Sequence, residues 1–140
     1  VAQEMEGRLR LTVNGDGPGK TIDLVAHERG PAAKNGLGTV HHVAMAVATA
    51  DEQLRFREEL VELGVNVTPV MDRQYFTSIY FREPGGVLFE IATLEPGFMF
   101  DESREELGKA LKLPPWEEAN RRSIEAGLPE IDRSASVRRV

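Results

Sequence analysis

The sequence predicts an α+β fold whose central module runs strand, helix, then three further strands. Three observations carry that prediction. Apolar and polar residues alternate in several short runs bounded by glycine and proline, one intervening stretch has the start and stop residues of a helix, and the periodicity turns helical beyond Pro96. A chain of 140 residues is enough for one domain with its own core and too short for two ordinary ones.

Taken in order, Arg8-Leu-Arg-Leu-Thr-Val13 alternates and Thr21-Ile-Asp-Leu-Val-Ala26 nearly does, so both read as half-buried strands. Asn14-Gly-Asp-Gly-Pro-Gly19 between them is a turn cluster, which makes the pair a β-hairpin. The hairpin reads as the end of a preceding, truncated unit. Gly30 to Gly38 is linker-like and places a boundary. Residues 1–38 are then hairpin and linker, 39–97 the central module, 98–131 a helical segment and 132–140 a tail with too little apolar surface to be ordered.

The central module opens with a strand from Val40 to Val47 whose faces differ. His42, Ala44 and Ala46 lie on one side; His41, Val43, Met45 and Val47 lie on the other. The small-residue face suits a pocket wall, and the branched face suits packing under a helix. That helix follows: Thr49-Ala-Asp-Glu52 fits a capping box, Leu54, Leu60, Val61 and Leu63 are apolar, and Gly64 is a left-handed stop. Val65 to Met71, Phe76 to Arg82 and Val87 to Thr93 are the three further strands. Ser103-Arg-Glu-Glu106 opens a helix through Leu111 that Pro114-Pro115 stop, and Trp116 to Leu128 reads as a second amphipathic helix.

Charge and composition narrow the function. A formal net charge of −6 and a pI near 5.1 argue against nucleic-acid or anionic-membrane partners and favour small molecules. With no cysteine, disulfides, thiolate metal sites and cysteine nucleophiles are excluded, so any metal must be held by histidine, carboxylate and water. No apolar run approaches the roughly 20 residues of a membrane helix, and Val1 to Glu6 lacks the order of a signal peptide. A cytoplasmic protein is expected. A first residue of valine rather than methionine points to a piece of something longer.

Two residues bear chemistry. Glu90, between Phe89 and Ile91 in an apolar strand, would cost several kcal/mol to bury ionised without a partner, so it needs a cation or a solvated face. His42 is a second donor on a rigid strand. A histidine and a carboxylate are two of the three ligands in the face that holds ferrous iron open for oxygen chemistry. Both also have ordinary readings, a satisfied structural histidine and a wet glutamate. His27, at the end of a strand beside the linker, is the only other candidate for a third ligand, and solvent accounts for it as well.

Thr39-Val-His-His-Val-Ala44, the helix ending Glu62-Leu-Gly64, and Tyr80-Phe-Arg-Glu-Pro-Gly-Gly-Val-Leu-Phe-Glu-Ile91 resemble the βαβββ module of the vicinal oxygen chelate superfamily, which includes glyoxalase I, bleomycin-resistance proteins and extradiol dioxygenases. Val67 to Phe76, the Arg-Glu-Pro-Gly-Gly hairpin and Leu111-Lys-Leu-Pro-Pro-Trp116 resemble, more narrowly, the C-terminal part of bacterial ring-cleaving hydroquinone dioxygenases. The resemblance implies a curved mixed sheet, Fe(II) as cofactor, and a small aromatic substrate with O2. It implies His42 and Glu90 as metal ligands, with His41, Arg73 and Tyr80 orienting or protonating the substrate. Taken without the resemblance, Arg73 and Tyr80 are ordinary turn and strand residues. Members are longer and bring a further histidine from their first unit, so the missing ligand would come from an absent N-terminal module or a second copy.

Two other functions stay open. Two modules paired in a homodimer would assemble the histidine and glutamate set of a glyoxalase-like lyase or isomerase around Zn, Ni or Mn. A metal-free module for small-molecule binding is the other. Uncovered sheet edges of a truncated unit favour a homo-oligomer. One geometric condition follows from strand parity: Tyr80 and Glu90 share a face only if they pair with an even index sum, which needs an odd loop such as Pro84-Gly85-Gly86.

Overall fold

A computed structural model describes residues 3–13, 15, 17–26, 30 and 34–129. The chain divides into two compact units, residues 1–41 with 83–87, and residues 42–82 with 88–140. His27, residues 31–33 of the predicted linker and the predicted tail at 132–140 lie outside the described residues.

In the first unit, β1 (Gln3–Met5), β2 (Arg8–Thr12) and β3 (Thr21–Val25) form an antiparallel sheet in that order. β2 and β3 are the predicted hairpin, and β1 adds a strand that alternation over three residues is too short to reveal. Gly7, at φ 69°, supplies the left-handed residue in the β1–β2 turn. Arg10 sits opposite Asp23 in register and grips both its carboxylate oxygens at 2.7 Å, while Arg8 adds a third contact at 2.7 Å. Hydrogen bonds from Arg10, then from Arg8, hold the Asp23 carboxyl well below the ordinary aspartate range.

The second unit is the predicted curved mixed sheet. β4 (Val43–Val47) lies parallel to β7 (Leu88–Thr93), β6 (Thr77–Arg82) is antiparallel to β7, and β5 (Met71–Asp72) is antiparallel to β6. α1 (Ala50–Glu62) follows β4 and covers one face. The predicted capping residues cap it, with one shift: Thr49 Oγ1 accepts the Glu52 N–H at 3.1 Å, while Glu52 Oε2 accepts at 2.9 Å the N–H of Ala48, one residue before the N-cap. Gly64, at φ 78°, closes the other end, with its N–H on the Val61 carbonyl and the Val65 N–H on the Leu60 carbonyl, each 2.9 Å.

Under α1, Val47, Val67, Ile79 and Ile91 are buried, with Met45, Leu60, Val65 and Phe81 packed against them. The helix contacts differ from the sequence expectation. Leu54, Val61 and Leu63 are exposed, and the sheet is instead met by Gln53, fully buried, and Leu60. Gln53 Nε2 donates to the carbonyls of Thr77 and Ile91 at 2.8 Å each, and its Oε1 accepts from Thr77 Oγ1 at 2.9 Å. An amide that meets two strand carbonyls and a hydroxyl at once substitutes for an apolar residue, because it satisfies backbone groups the helix would otherwise cover.

Two further expectations are corrected. The strand from Val65 to Met71 shrinks to a bridge between Val67 and Phe81 and the two residues of β5, because Pro69 has no N–H to give a ladder. Residues 103–111 form a series of turns and no helix: the Glu106 and Leu107 N–H groups bond the Ser103 carbonyl, but Gly108 at φ 74° leaves the helical region. The second C-terminal helix is present in altered form, a 3-10 turn over Pro115–Asn120 that leads into α2 (Arg121–Gly127). Among the described residues no helix is long and apolar enough to cross a membrane.

Replacing Gln53 with Ala strands two buried carbonyls and opens a cavity, so urea denaturation should report a loss of about 2–4 kcal/mol; a loss below about 1 kcal/mol would contradict the anchoring role. For Asp23, a lowered folded pKa means stabilisation that is full above the ordinary value of 3.8 and lost as pH falls through the folded value. Thermal melts below pH 4 should therefore show a smaller pH-dependent decline in Asp23→Asn than in the parent chain.

Candidate metal centre

The face of the sheet away from α1 carries a cluster of polar residues. Strand alternation puts Ile79 and Ile91 toward the helix, which turns Ser78, Tyr80 and Glu90 to the opposite side. Glu90 is flanked in register by Tyr80 on β6 and by Ala44 on β4. The pairing index is even, as the parity condition requires. Residues 84–86 form the odd loop, and Gly86 takes φ 94° within it.

His42 and Glu90 converge. His42 Nε2 lies 2.9 Å from Glu90 Oε2, with the glutamate side chain 4% exposed and the histidine 36%. β4 begins at Val43, three residues later than the Val40 start read from the sequence pattern, so His42 stands just before the strand and not within it. The other carboxylate oxygen, Oε1, accepts from the Tyr80 hydroxyl at 3.0 Å and from Ser78 Oγ. The Tyr80 and His42 rings meet edge to face, 6.3 Å between centroids.

Arg73 completes the cluster. Its Nε donates to the Tyr80 hydroxyl at 3.2 Å, and its guanidinium lies 5.2 Å from the centre of the Tyr80 ring. The turn that carries it is held locally: the Arg73 N–H bonds the Phe76 carbonyl at 2.9 Å and Asp72 Oδ1 accepts the Gln74 N–H at 2.7 Å, with Gln74 at φ 66°. Arg73 also lines a cleft with Tyr75, Lys112, Pro114 and Trp116. Beside it, burial raises the Tyr75 hydroxyl pKa, and the hydrogen bond to Asp101 at 3.1 Å adds to the rise.

Of the five residues singled out from sequence, His42, Glu90, Tyr80 and Arg73 come together. His41 belongs to the other unit, is exposed, and lends its backbone carbonyl to Asn35 Nδ2 at 2.7 Å. Ser78 is the member that sequence reasoning missed. Its sign was available in β6, where a small hydroxyl two residues before Tyr80 shares the Tyr80 face.

The donor chemistry fits a divalent ion at two points. Two donors about 2.1 Å from one ion and at right angles around it stand about 3 Å apart, which is the spacing of His42 Nε2 and Glu90 Oε2. Among the described residues, no cluster of three or more histidine, aspartate or glutamate side chains could hold a metal.

Comparison with known proteins agrees with this architecture. The sequence model of the Glyoxalase/Bleomycin resistance protein/Dioxygenase superfamily matches residues 3–91. The chain is 49% identical over 113 residues to the "Putative ring-cleaving dioxygenase MhqE" of Bacillus subtilis, covering 81% of this chain and 37% of that protein. It is 40% identical over 111 residues to the chlorohydroquinone/hydroquinone 1,2-dioxygenase of Sphingobium indicum, covering 76% and 34%. A crystal structure of a "putative dioxygenase" from Bacillus subtilis superposes with a TM-score of 0.81 at 42% identity, covering 94% of this chain and 42% of that one. The chain thus spans between 34% and 41% of the length of the curated relatives it matches.

Tyr80→Phe removes one of the two hydroxyls on Glu90 Oε1 and the acceptor of Arg73. Urea denaturation should show a loss of about 1–3 kcal/mol, since a hydrogen bond to a buried carboxyl group is involved. An unchanged midpoint would mean that the Tyr80 hydroxyl does not hold Glu90.

Proposed function

Because the chain belongs to the glyoxalase/bleomycin resistance protein/dioxygenase superfamily, we propose that it supplies part of the metal site of a non-haem Fe(II) ring-cleaving dioxygenase. Its substrate would be a hydroquinone-type aromatic, and the chain would correspond to the C-terminal part of such an enzyme. The observation that carries this reading is the 2.9 Å approach of His42 Nε2 to Glu90 Oε2 on the sheet face away from α1. The names of the Bacillus and Sphingobium relatives support the reaction class and the aromatic substrate.

His42 and Glu90 are the residues that would hold the metal, His42 through Nε2 and Glu90 through Oε2. When bound, the ion lowers the pKa of a coordinated phenol and brings donor and dioxygen together. The chain's own groups do the rest. Tyr80 carries a proton at the edge of the site, and the Arg73 Nε–H fixes the direction of that hydroxyl. The Arg73 guanidinium places a permanent positive charge beside it, where negative charge on a substrate oxygen would develop. Ala44, next to Glu90 in register, and Ala46, two residues along the same face, leave room for a flat ring. His41 enters this reading as a substrate-orienting residue on the strength of the sequence alone.

Two protein donors are too few for tight iron binding. We infer that the third comes from a module outside this chain or from a second copy, that the chain alone is a poor catalyst, and that the working protein is cytoplasmic.

Anaerobic metal titration of the purified chain, followed by oxygen uptake with methylhydroquinone, tests the proposal. Weak Fe(II) binding is expected, with apparent affinity falling at least about tenfold in both His42→Ala and Glu90→Ala, and little oxygen uptake until a third donor is supplied. Affinity unchanged in both variants would refute it. Zinc or nickel at one ion per two chains would favour a glyoxalase-like homodimer, and no uptake of any metal would favour a metal-free binding module.

A further inference from the structure

Glu90 does not present its two oxygens equally. Oε2 faces His42 Nε2, whereas Oε1 takes hydrogen bonds from two hydroxyls, Tyr80 and Ser78. Ser78 is fully buried and Glu90 is 3% exposed, so neither bond competes with bulk water. Ser78 pairs with Ala92 in the ladder, which sets it diagonal to Glu90 on the same face. Tyr80 approaches the same oxygen from the position directly opposite.

We propose that Ser78 is a positioning residue of the metal site: with Tyr80 it occupies Oε1, so that Glu90 offers a single oxygen, Oε2, beside His42 Nε2. The inference rests on the metal-binding reading above and deepens it. A carboxylate oxygen that already accepts two hydrogen bonds has no lone pair left for an ion. Glu90 then takes one coordination position where a chelating carboxylate would take two. If a third donor from outside the chain completed a six-coordinate ion, one-oxygen binding by Glu90 would leave three positions open, the number that a two-oxygen aromatic substrate and dioxygen would require together. A chelating glutamate would leave two. Ser78 therefore sets the stoichiometry of the open face without touching metal or substrate itself.

The test compares the parent chain with Ser78→Ala, Ser78→Cys and Ser78→Thr. The cysteine variant fills the serine volume with a weak donor, which keeps the question answerable if alanine fails to fold; threonine restores the hydroxyl. Thermal melts establish folding. Co(II) affinity is read by calorimetry and by the visible spectrum of the bound ion, and crystals of each protein give the orientation of the Glu90 carboxylate. In Ser78→Ala and Ser78→Cys the carboxylate should turn so that Oε1 leaves its present place, and the Co(II) affinity should shift about 10-fold or more from the parent value. Ser78→Thr should recover both. Affinity at the parent value, with Glu90 still offering Oε2 alone, overturns the proposal. If the parent chain takes up no Co(II), the metal reading fails and the crystals alone decide the role of Ser78: a turned carboxylate in Ser78→Ala or Ser78→Cys upholds its hold on Glu90, and an unmoved one refutes it.

Discussion

The buried carboxylate of Glu90 is the constraint around which the second unit is arranged. An ionised carboxylate withdrawn from water costs several kcal/mol unless charge and hydrogen bonds offset it. Here three groups meet it: the His42 ring at one oxygen, the Ser78 and Tyr80 hydroxyls at the other. Remove any of these and the carboxylate is under-satisfied. A site that keeps such a group in place must hold several side chains to within a fraction of an ångström, which loops seldom do and adjacent strands do readily.

The rest of the fold supplies that precision. The three-residue loop at 84–86 fixes the pairing of β6 with β7, and with it the face on which Tyr80 and Glu90 meet. The parallel β4–β7 pair brings His42 to the same end of the sheet. On the reverse side, Gln53 ties α1 to backbone carbonyls of β6 and β7 at once. A single amide thereby keeps two strands in step beneath the helix, and their other faces carry the polar cluster.

Much of this was legible in the sequence because strand parity is a hard rule. The unequal faces of the run from Val40, the capping box at Thr49, the stop at Gly64 and the even spacing of Tyr80 and Glu90 each follow from residue type and position. What escaped was decided by partners. Gln53 looks like a surface residue until two carbonyls stand over it, and Leu54 and Val61 look like core until the helix turns its polar side inward. At Ser103 the residue pattern gives only turns, with the Glu106 and Leu107 N–H groups on the Ser103 carbonyl, and Gly108 leaves the helical region before a helix can form. Parity put Ser78 on the Tyr80 face, but only register with β7 brings its hydroxyl to Glu90.

The chain covers 34% to 41% of the length of its curated relatives, and among the described residues the proposed site has two candidate donors, His42 and Glu90. The central claim is that the two donors grip one ion. Crystals of the chain equilibrated anaerobically with Fe(II) and measured by anomalous diffraction at the iron edge test it directly. The account predicts one anomalous peak within about 2.3 Å of both His42 Nε2 and Glu90 Oε2. A peak elsewhere, or none while those two atoms keep their present contact, would contradict it.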